Sequence, residues 1–222
     1  MKTFLQSLVL FAWWCVLLFG SAGQLTWERA WTCTAFYLGG MYASRAVLRK
    51  LNPNILDQRQ TAIRKDTKRF DKIFLRVFLS LTIIQPMIAG LDAVRFDWAP
   101  MPFRTVYLGN WSLHSLSELN HLRVSPKSPR RSSVRIQRDR DHTVVVSGPY
   151  RFVRHPMYVG LIFLHTSMAL ILGSTWNLAL AGLIAMLLLW RTGLEDLTLR
   201  RELPGYERYT LITRYRLMPG TW

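Results

Sequence analysis

Long apolar runs alternate along this chain with short blocks of cations, and that alternation limits the fold more than any other feature. The first run, Phe4 to Phe19, is broken only by Gln6 and Ser7, and Gly20-Ser21-Ala22-Gly23 follows it. A second extends from Ala30 to Leu48, opened by Trp31 and closed by Arg45, Arg49 and Lys50. A third runs from Ile73 to about Ala93, with Arg76 placed to snorkel and Pro86 to kink the helix. Val159 to Leu172 and Leu178 to Trp190 close the set, and Gly173-Ser174-Thr175 between them predicts a tight helical hairpin. These last two cores are short of the ~30 Å hydrocarbon layer, so their helices are expected to continue through Pro156 to Tyr158 and Arg191 to Leu199.

Of the 29 Lys and Arg residues, 24 fall in 45–72, 123–154 and 191–216. The turns between apolar runs on the other side, 20–30 and 93–103, carry only Arg29 and Arg95. Positive-inside logic puts the three blocks in the cytoplasm, with an inside N-terminus. The formal net charge of +16 is therefore a property of cytoplasmic loops facing anionic headgroups, and it does not mark a nucleic-acid binder. Half the chain is apolar, which excludes disorder by composition. Cys15 and Cys33 both lie in apolar runs without ligand partners nearby, so neither a disulfide framework nor a metal site is expected. The first run also has the outline of a cleaved signal peptide; the spans that follow at once and the mid-run Trp13-Trp14 favour a membrane helix.

The expected fold is all-α and multi-spanning, with about five or six membrane-embedded helices and a C-terminal cytoplasmic cap. Three regions are expected: N-terminal membrane helices with a basic loop (1–100), an atypical polar segment (101–133) and a cofactor-binding region with the helical hairpin (134–222). The topology requires a return crossing between about Pro102 and Leu122, a stretch rich in polar residues. Leu113, Leu116 and Leu119 recur there at helical spacing, and Ser125-Pro126-Lys127-Ser128-Pro129-Arg130-Arg131 follows. The segment is either a diverged interfacial element or a local reading-frame error in the source sequence.

Chemistry concentrates in 134–160. Ser147-Gly148-Pro149 predicts a turn, and Arg154-His155-Pro156 stands just before a helix whose first turn accepts a proline. The free N–H groups there, with Arg151 and Arg154 close by, suit an anionic or carboxylate-bearing ligand. Arg191 and Glu195 are four residues apart and so share a helix face; spacing alone reads them as a surface ion pair.

The ordered set Gly148-Pro149-Tyr150-Arg151-Phe152-Val153-Arg154-His155-Pro156-Met157-Tyr158-Val159-Gly160, then Arg191 to Glu195-Asp196, Pro204-Gly205-Tyr206 with Tyr209, and Arg216 to Pro219 resembles the isoprenylcysteine carboxyl methyltransferase family, with much of the pattern shared by phospholipid N-methyltransferases. That resemblance implies an integral membrane methyltransferase using S-adenosyl-L-methionine and a lipophilic substrate entering from the bilayer, carboxylate O-methylation being favoured. It implies cofactor contacts at Gln137, His142, Thr143, Val144, Val145, Tyr150, His155, Pro156, Met157, Tyr158 and Glu195, and catalytic roles for Arg191, near the acceptor's carboxylate, and Glu195. Membrane lipids are the other expected partner, a bacterial inner membrane the expected location, and the active site is expected to face the cytoplasm. A membrane NADPH-dependent reductase of the sterol-reductase kind, or an inactive protein keeping the fold, are the alternatives.

Overall fold

The computed structural model describes residues 2–51, 68–102, 144, 146, 148–220 and 222, with backbone alone over 2–8, 10, 41 and 43–51. The expectations that rest on 52–67, on 103–133, and on Gln137, His142, Thr143 and Val145 lie outside the described residues. The elements within them are helices: α1 Lys2–Ala22, α2 Glu28–Leu51, α3 Arg69–Gly90 running into a π-helical turn Leu91–Arg95, a 3-10 turn Gly148–Arg151, α4 Pro156–Leu172, α5 Thr175–Glu202 and α6 Tyr206–Ile212.

The expected lengthening of the last two apolar runs is present. At about 1.5 Å per residue α5 is about 42 Å long, enough for a bilayer with a turn or two to spare at the end that carries Glu195 and Asp196. Arg69–Arg95 and Thr175–Glu202 are the two described helices long and apolar enough to cross a membrane; Phe11–Ala22 and Pro156–Leu172 are shorter apolar helices. Leu79, Ile83 and Met87 on α3 and Leu183, Met186 and Trp190 on α5 face outward. A helix apolar on both its packed and its outward faces suits a hydrocarbon surround.

Helix α1 packs on α3, α2 on α4, α3 on α5, and α4 and α5 on each other as the hairpin. The hairpin turn has the predicted chemistry. Gly173 closes α4 at φ 74°, a left-handed conformation that glycine adopts without strain, and Ser174 caps α5 by accepting the Asn177 N–H at 3.0 Å. Gly90 is needed for closeness rather than for conformation: a Cβ there would fall 2.2 Å from Ser21 Oγ and 2.7 Å from Ala22 N on α1. The ends of α1 and α3 therefore meet, and a cluster of Leu18, Phe19, Trp27, Cys33, Met168 and Leu172 fills the same end. At mid-bundle, Gln85 donates to the His165 carbonyl at 3.1 Å while its Oε1 lies 2.6 Å from His165 Nδ1, so a buried amide and imidazole satisfy each other inside an apolar layer.

Met101 N donates to the Gly173 carbonyl at 2.8 Å, which places the exit of α3 beside the α4–α5 turn. The start of α3 instead meets the start of α4 and the later part of α5, through a cluster of Phe74, Tyr158, Ile184, Leu188 and Leu217. The described chain thus leaves one end of the bundle at Pro102 and resumes at the other, where Val144 packs beside Leu203, Tyr206 and Tyr209.

Candidate functional site

The site is assembled from three segments remote in sequence: the turn and first residues of α4, the last third of α5, and the stretch after α6. Pro156 occupies the first turn of α4, where the absent N–H costs no helical bond. The residues before it are extended and are fastened to the C-terminal stretch, Arg154 N donating to the Tyr215 carbonyl and His155 N to the Arg216 carbonyl, each at 2.9 Å. Tyr150 is held through its carbonyl, which accepts from Tyr209 Oη at 2.6 Å and from Thr213 Oγ1 at 3.2 Å. Met157 packs on the Phe74–Tyr158 cluster, and Val144 on the Tyr206–Tyr209 cluster.

Two buried charge groups follow. In the first, Arg191 Nη2 lies 2.8 Å from Asp71 Oδ1; the guanidinium is 4 % exposed, and its carbon stands 4.2 Å from the centroid of Phe74 and 5.2 Å from that of Tyr158. Tyr158 in turn donates its phenol to Glu195 Oε2 and stacks on His155, centroids 5.6 Å apart and planes within 7°. In the second, the Asp196 carboxylate gathers Arg154 Nη1 at 3.1 Å, Arg216 Nε at 3.1 Å, Arg200 Nε at 3.3 Å and His155 Nε2 at 3.7 Å, and accepts from Tyr206 Oη at 2.9 Å. Three guanidinium groups on one carboxylate leave a net positive corner. Burial pulls the Arg154 guanidinium below its ordinary pKa, an effect the Asp196 charge opposes. Burial also raises the Tyr206 and Tyr209 phenols, the latter to about 12, so both are neutral donors.

Of the residues singled out from sequence, Arg191, Glu195, Tyr158 and His155 form one continuous chain of contacts, with Pro156 setting the start of its helix. Arg191 and Glu195 share a face as their spacing demands, but the contacts they make run to Asp71 and Tyr158, so they are more than a solvated pair at a helix end. Sequence reasoning assigned no role to Asp71 or Asp196. A signal for Asp71 existed: Asp71, Phe74, Gln85, Ala89 and Asp92 are the buried face of α3, and continuing that periodicity two residues upstream of Ile73 puts a carboxylate on it. The local spacing of Asp196 points only to Arg200, four residues on, and its other partners come from 154, 155, 206 and 216.

Beside the first turn of α4 an apolar groove of about 560 Å³ opens between Pro149, Phe152, Pro156, Val159, Phe163 and Leu217. Among the described residues, the buried Arg154 Nε has no hydrogen-bond partner, and His155 Nε2 has the 3.7 Å approach to Asp196. A cationic corner with the Arg154 Nε donor in reserve, next to a half-buried carboxylate on Glu195, fits the two charged ends of an amino-acid group.

Residues 129–201, about a third of the chain, match the family model described as isoprenylcysteine carboxyl methyltransferase (ICMT) family. No curated protein matches the chain. The matched stretch takes in the Arg154-His155-Pro156 segment and Arg191, Glu195 and Asp196, while Asp71, Tyr206 and Arg216 lie outside it. The segment that supplies most of this site is thus the one that is similar to the ICMT family.

Proposed function

We propose that this protein is an integral membrane methyltransferase that uses S-adenosyl-L-methionine and acts on a lipophilic acceptor, with O-methylation of a carboxylate favoured. The observation that carries the reading is the convergence of Arg154-His155-Pro156-Met157-Tyr158 with Arg191, Glu195 and Asp196 at one end of an apolar helical bundle, joined by the Tyr158 to Glu195 hydrogen bond. When bound, the cofactor supplies an electrophilic methyl group on a sulfonium centre. Glu195 meets its ammonium group, and the donors of Arg154 and His155, backed by Arg216, meet its carboxylate. Gln137, His142, Thr143, Val144, Val145, Tyr150, Pro156, Met157 and Tyr158 complete the cofactor contacts implied by the family.

The rest of the work falls to positioning. A carboxylate is already a nucleophile, so no strong base is needed; Arg191 orients it, and the buried surround of Phe74, Tyr158 and Leu188 keeps competing water away. The groove at Phe152, Val159 and Phe163 takes the acceptor's hydrocarbon, which would arrive from the bilayer. The cationic blocks of the sequence support a cytoplasmic position for this end, in a multi-pass protein of a bacterial inner membrane.

Calorimetry on the detergent-purified chain tests the reading, with NADPH as the parallel ligand. Saturable binding of S-adenosylmethionine that falls at least tenfold in Glu195→Gln and His155→Ala is expected. Binding of NADPH alone would replace this reading with the reductase, and S-adenosylmethionine binding unchanged in both variants would remove these residues from the site.

A further inference from the structure

Asp71 raises a problem that the family assignment of Arg191 does not answer. Its carboxylate is fully buried in the first turn of α3, with Oδ1 2.8 Å from Arg191 Nη2, while Arg191 is the residue meant to receive the acceptor's carboxylate. A guanidinium this deeply buried cannot stand without a counter-charge, because the desolvation of an uncompensated ion costs several kcal/mol. An anionic acceptor and Asp71 are chemically the same partner for it. Both together, with Glu195 already acting on the same guanidinium, would put three carboxylates around one buried cation.

We propose that Asp71 is the chain's own stand-in for the acceptor's carboxylate, holding Arg191 paired and in place whenever no acceptor is bound and setting, by competition, how tightly an anionic acceptor binds. This inference rests on the reading of the site given above. Two features make the exchange workable. Asp71 is the acidic residue of the first turn of α3, where the unpaired N–H groups and the positive end of the helix dipole offer its carboxylate a second resting place after displacement. Arg191, for its part, is fixed by the rings of Phe74 and Tyr158 as well as by charge, so it keeps its position when its partner changes. At the surface, Lys68 and Glu202 pair between the start of α3 and the end of α5, tethering the same turn loosely while the buried pair opens. Asp71 is then a specificity-determining residue: it weakens every anionic ligand of Arg191 and leaves uncharged ligands of the same shape untouched.

The test uses the full chain in detergent with two probes of one tail, S-farnesylthioacetate and its uncharged methyl ester, measured by calorimetry. In Asp71→Asn the carboxylate probe is expected to bind at least tenfold more tightly than in the unaltered protein, with the ester and S-adenosylmethionine each within twofold. A purely structural role for Asp71 has no means of raising affinity. Carboxylate binding in Asp71→Asn that is equal to or weaker than in the unaltered protein overturns the proposal. Should that variant fail to fold, hydrogen exchange in the unaltered protein decides: the carboxylate probe is expected to change protection at 69–73 and the ester is not, and identical responses overturn the exchange. A tenfold gain without any S-adenosylmethionine binding would keep Asp71 as the stand-in and remove the methyltransferase reading, whereas cofactor binding without the gain would remove this inference alone.

Discussion

Each end of the bundle is organised around a buried aspartate, and the two are satisfied in opposite ways. Asp92, at the α3 exit, accepts from Ala99 N at 2.9 Å, from Trp176 N at 3.2 Å and from the Ser174 hydroxyl, all neutral donors belonging to the turns that it ties together. Beside it Arg29 donates to the Met101 carbonyl at 3.3 Å. Asp196, at the other end, is surrounded by Arg154, Arg200, Arg216 and His155, with Tyr206 as its neutral donor. A carboxylate closed off by backbone N–H groups is a cap: its charge is spent on holding loops. A carboxylate outnumbered by cations leaves charge over, and leftover buried charge is what a charged ligand can use. One end is closed on neutral donors, and the other, on the function proposed above, is the end that binds.

The sharpest way to break that contrast is Asp196→Ala. Arg154, 3 % exposed, would lose its carboxylate in the interior, and removing one partner of such a pair costs about 3–5 kcal/mol. We expect thermal unfolding to shift accordingly and S-adenosylmethionine binding to be abolished, with Asp196→Asn keeping more stability than affinity. Equal losses of both in the two variants would mean that Asp196 only holds the fold.

At the closed end the same experiment should separate stability from function. Asp92→Ala leaves the N–H groups of Ala99 and Trp176 without their acceptor and is expected to lower stability by about 2–3 kcal/mol, since hydrogen bonds to charged groups exceed neutral ones. Gly90→Ala follows at about 1–3 kcal/mol, because the new Cβ meets the backbone of α1 at Ala22 N and Leu18 O, which yields only if the helices part. Cofactor affinity measured by calorimetry should stay within twofold in both. A tenfold loss in either would show the two ends to be coupled through α3.

What was legible from the sequence divides along the same line. Helix positions follow from periodicity and punctuation, so Gly173-Ser174, Pro156 and the lengthened α5 were readable: each is dictated by neighbours within four residues. Tyr158, His155, Arg191 and Glu195 were reachable through an ordered motif. Asp196 lay inside that motif, yet its role was hidden, because the Arg200 four residues on reads as an ordinary helix-surface pair, while the contacts 42 positions upstream and 20 downstream leave no local signature. The pairing of Asp71 with Arg191 likewise needs α3 laid against α5, which no spacing within either helix records. Local chemistry wrote the scaffold; long-range charge pairing wrote the site.

The smallest effect expected concerns the C-terminal latch. Tyr209 donates its phenol to the Tyr150 carbonyl, and burial pushes that phenol up to about 12 from an ordinary value near 10. Between about pH 10 and pH 12 the unfolded chain has released a proton that the folded chain keeps, so the folded state binds more protons and stability falls as pH rises through that window. Below pH 10 the contribution is fully present. Tyr209→Phe cannot titrate, so it should cost about 1 kcal/mol of stability at neutral pH, the worth of one neutral hydrogen bond, and give a shallower alkaline decline in detergent unfolding. Tyr206, raised by burial and by Asp196, keeps part of the decline in that variant. Cofactor affinity should drop only a fewfold, because Tyr150 retains the Thr213 hydroxyl. An unchanged alkaline limb would place the latch outside the cooperative unfolding of the bundle, and the binding end would then open on its own while the closed end stayed folded.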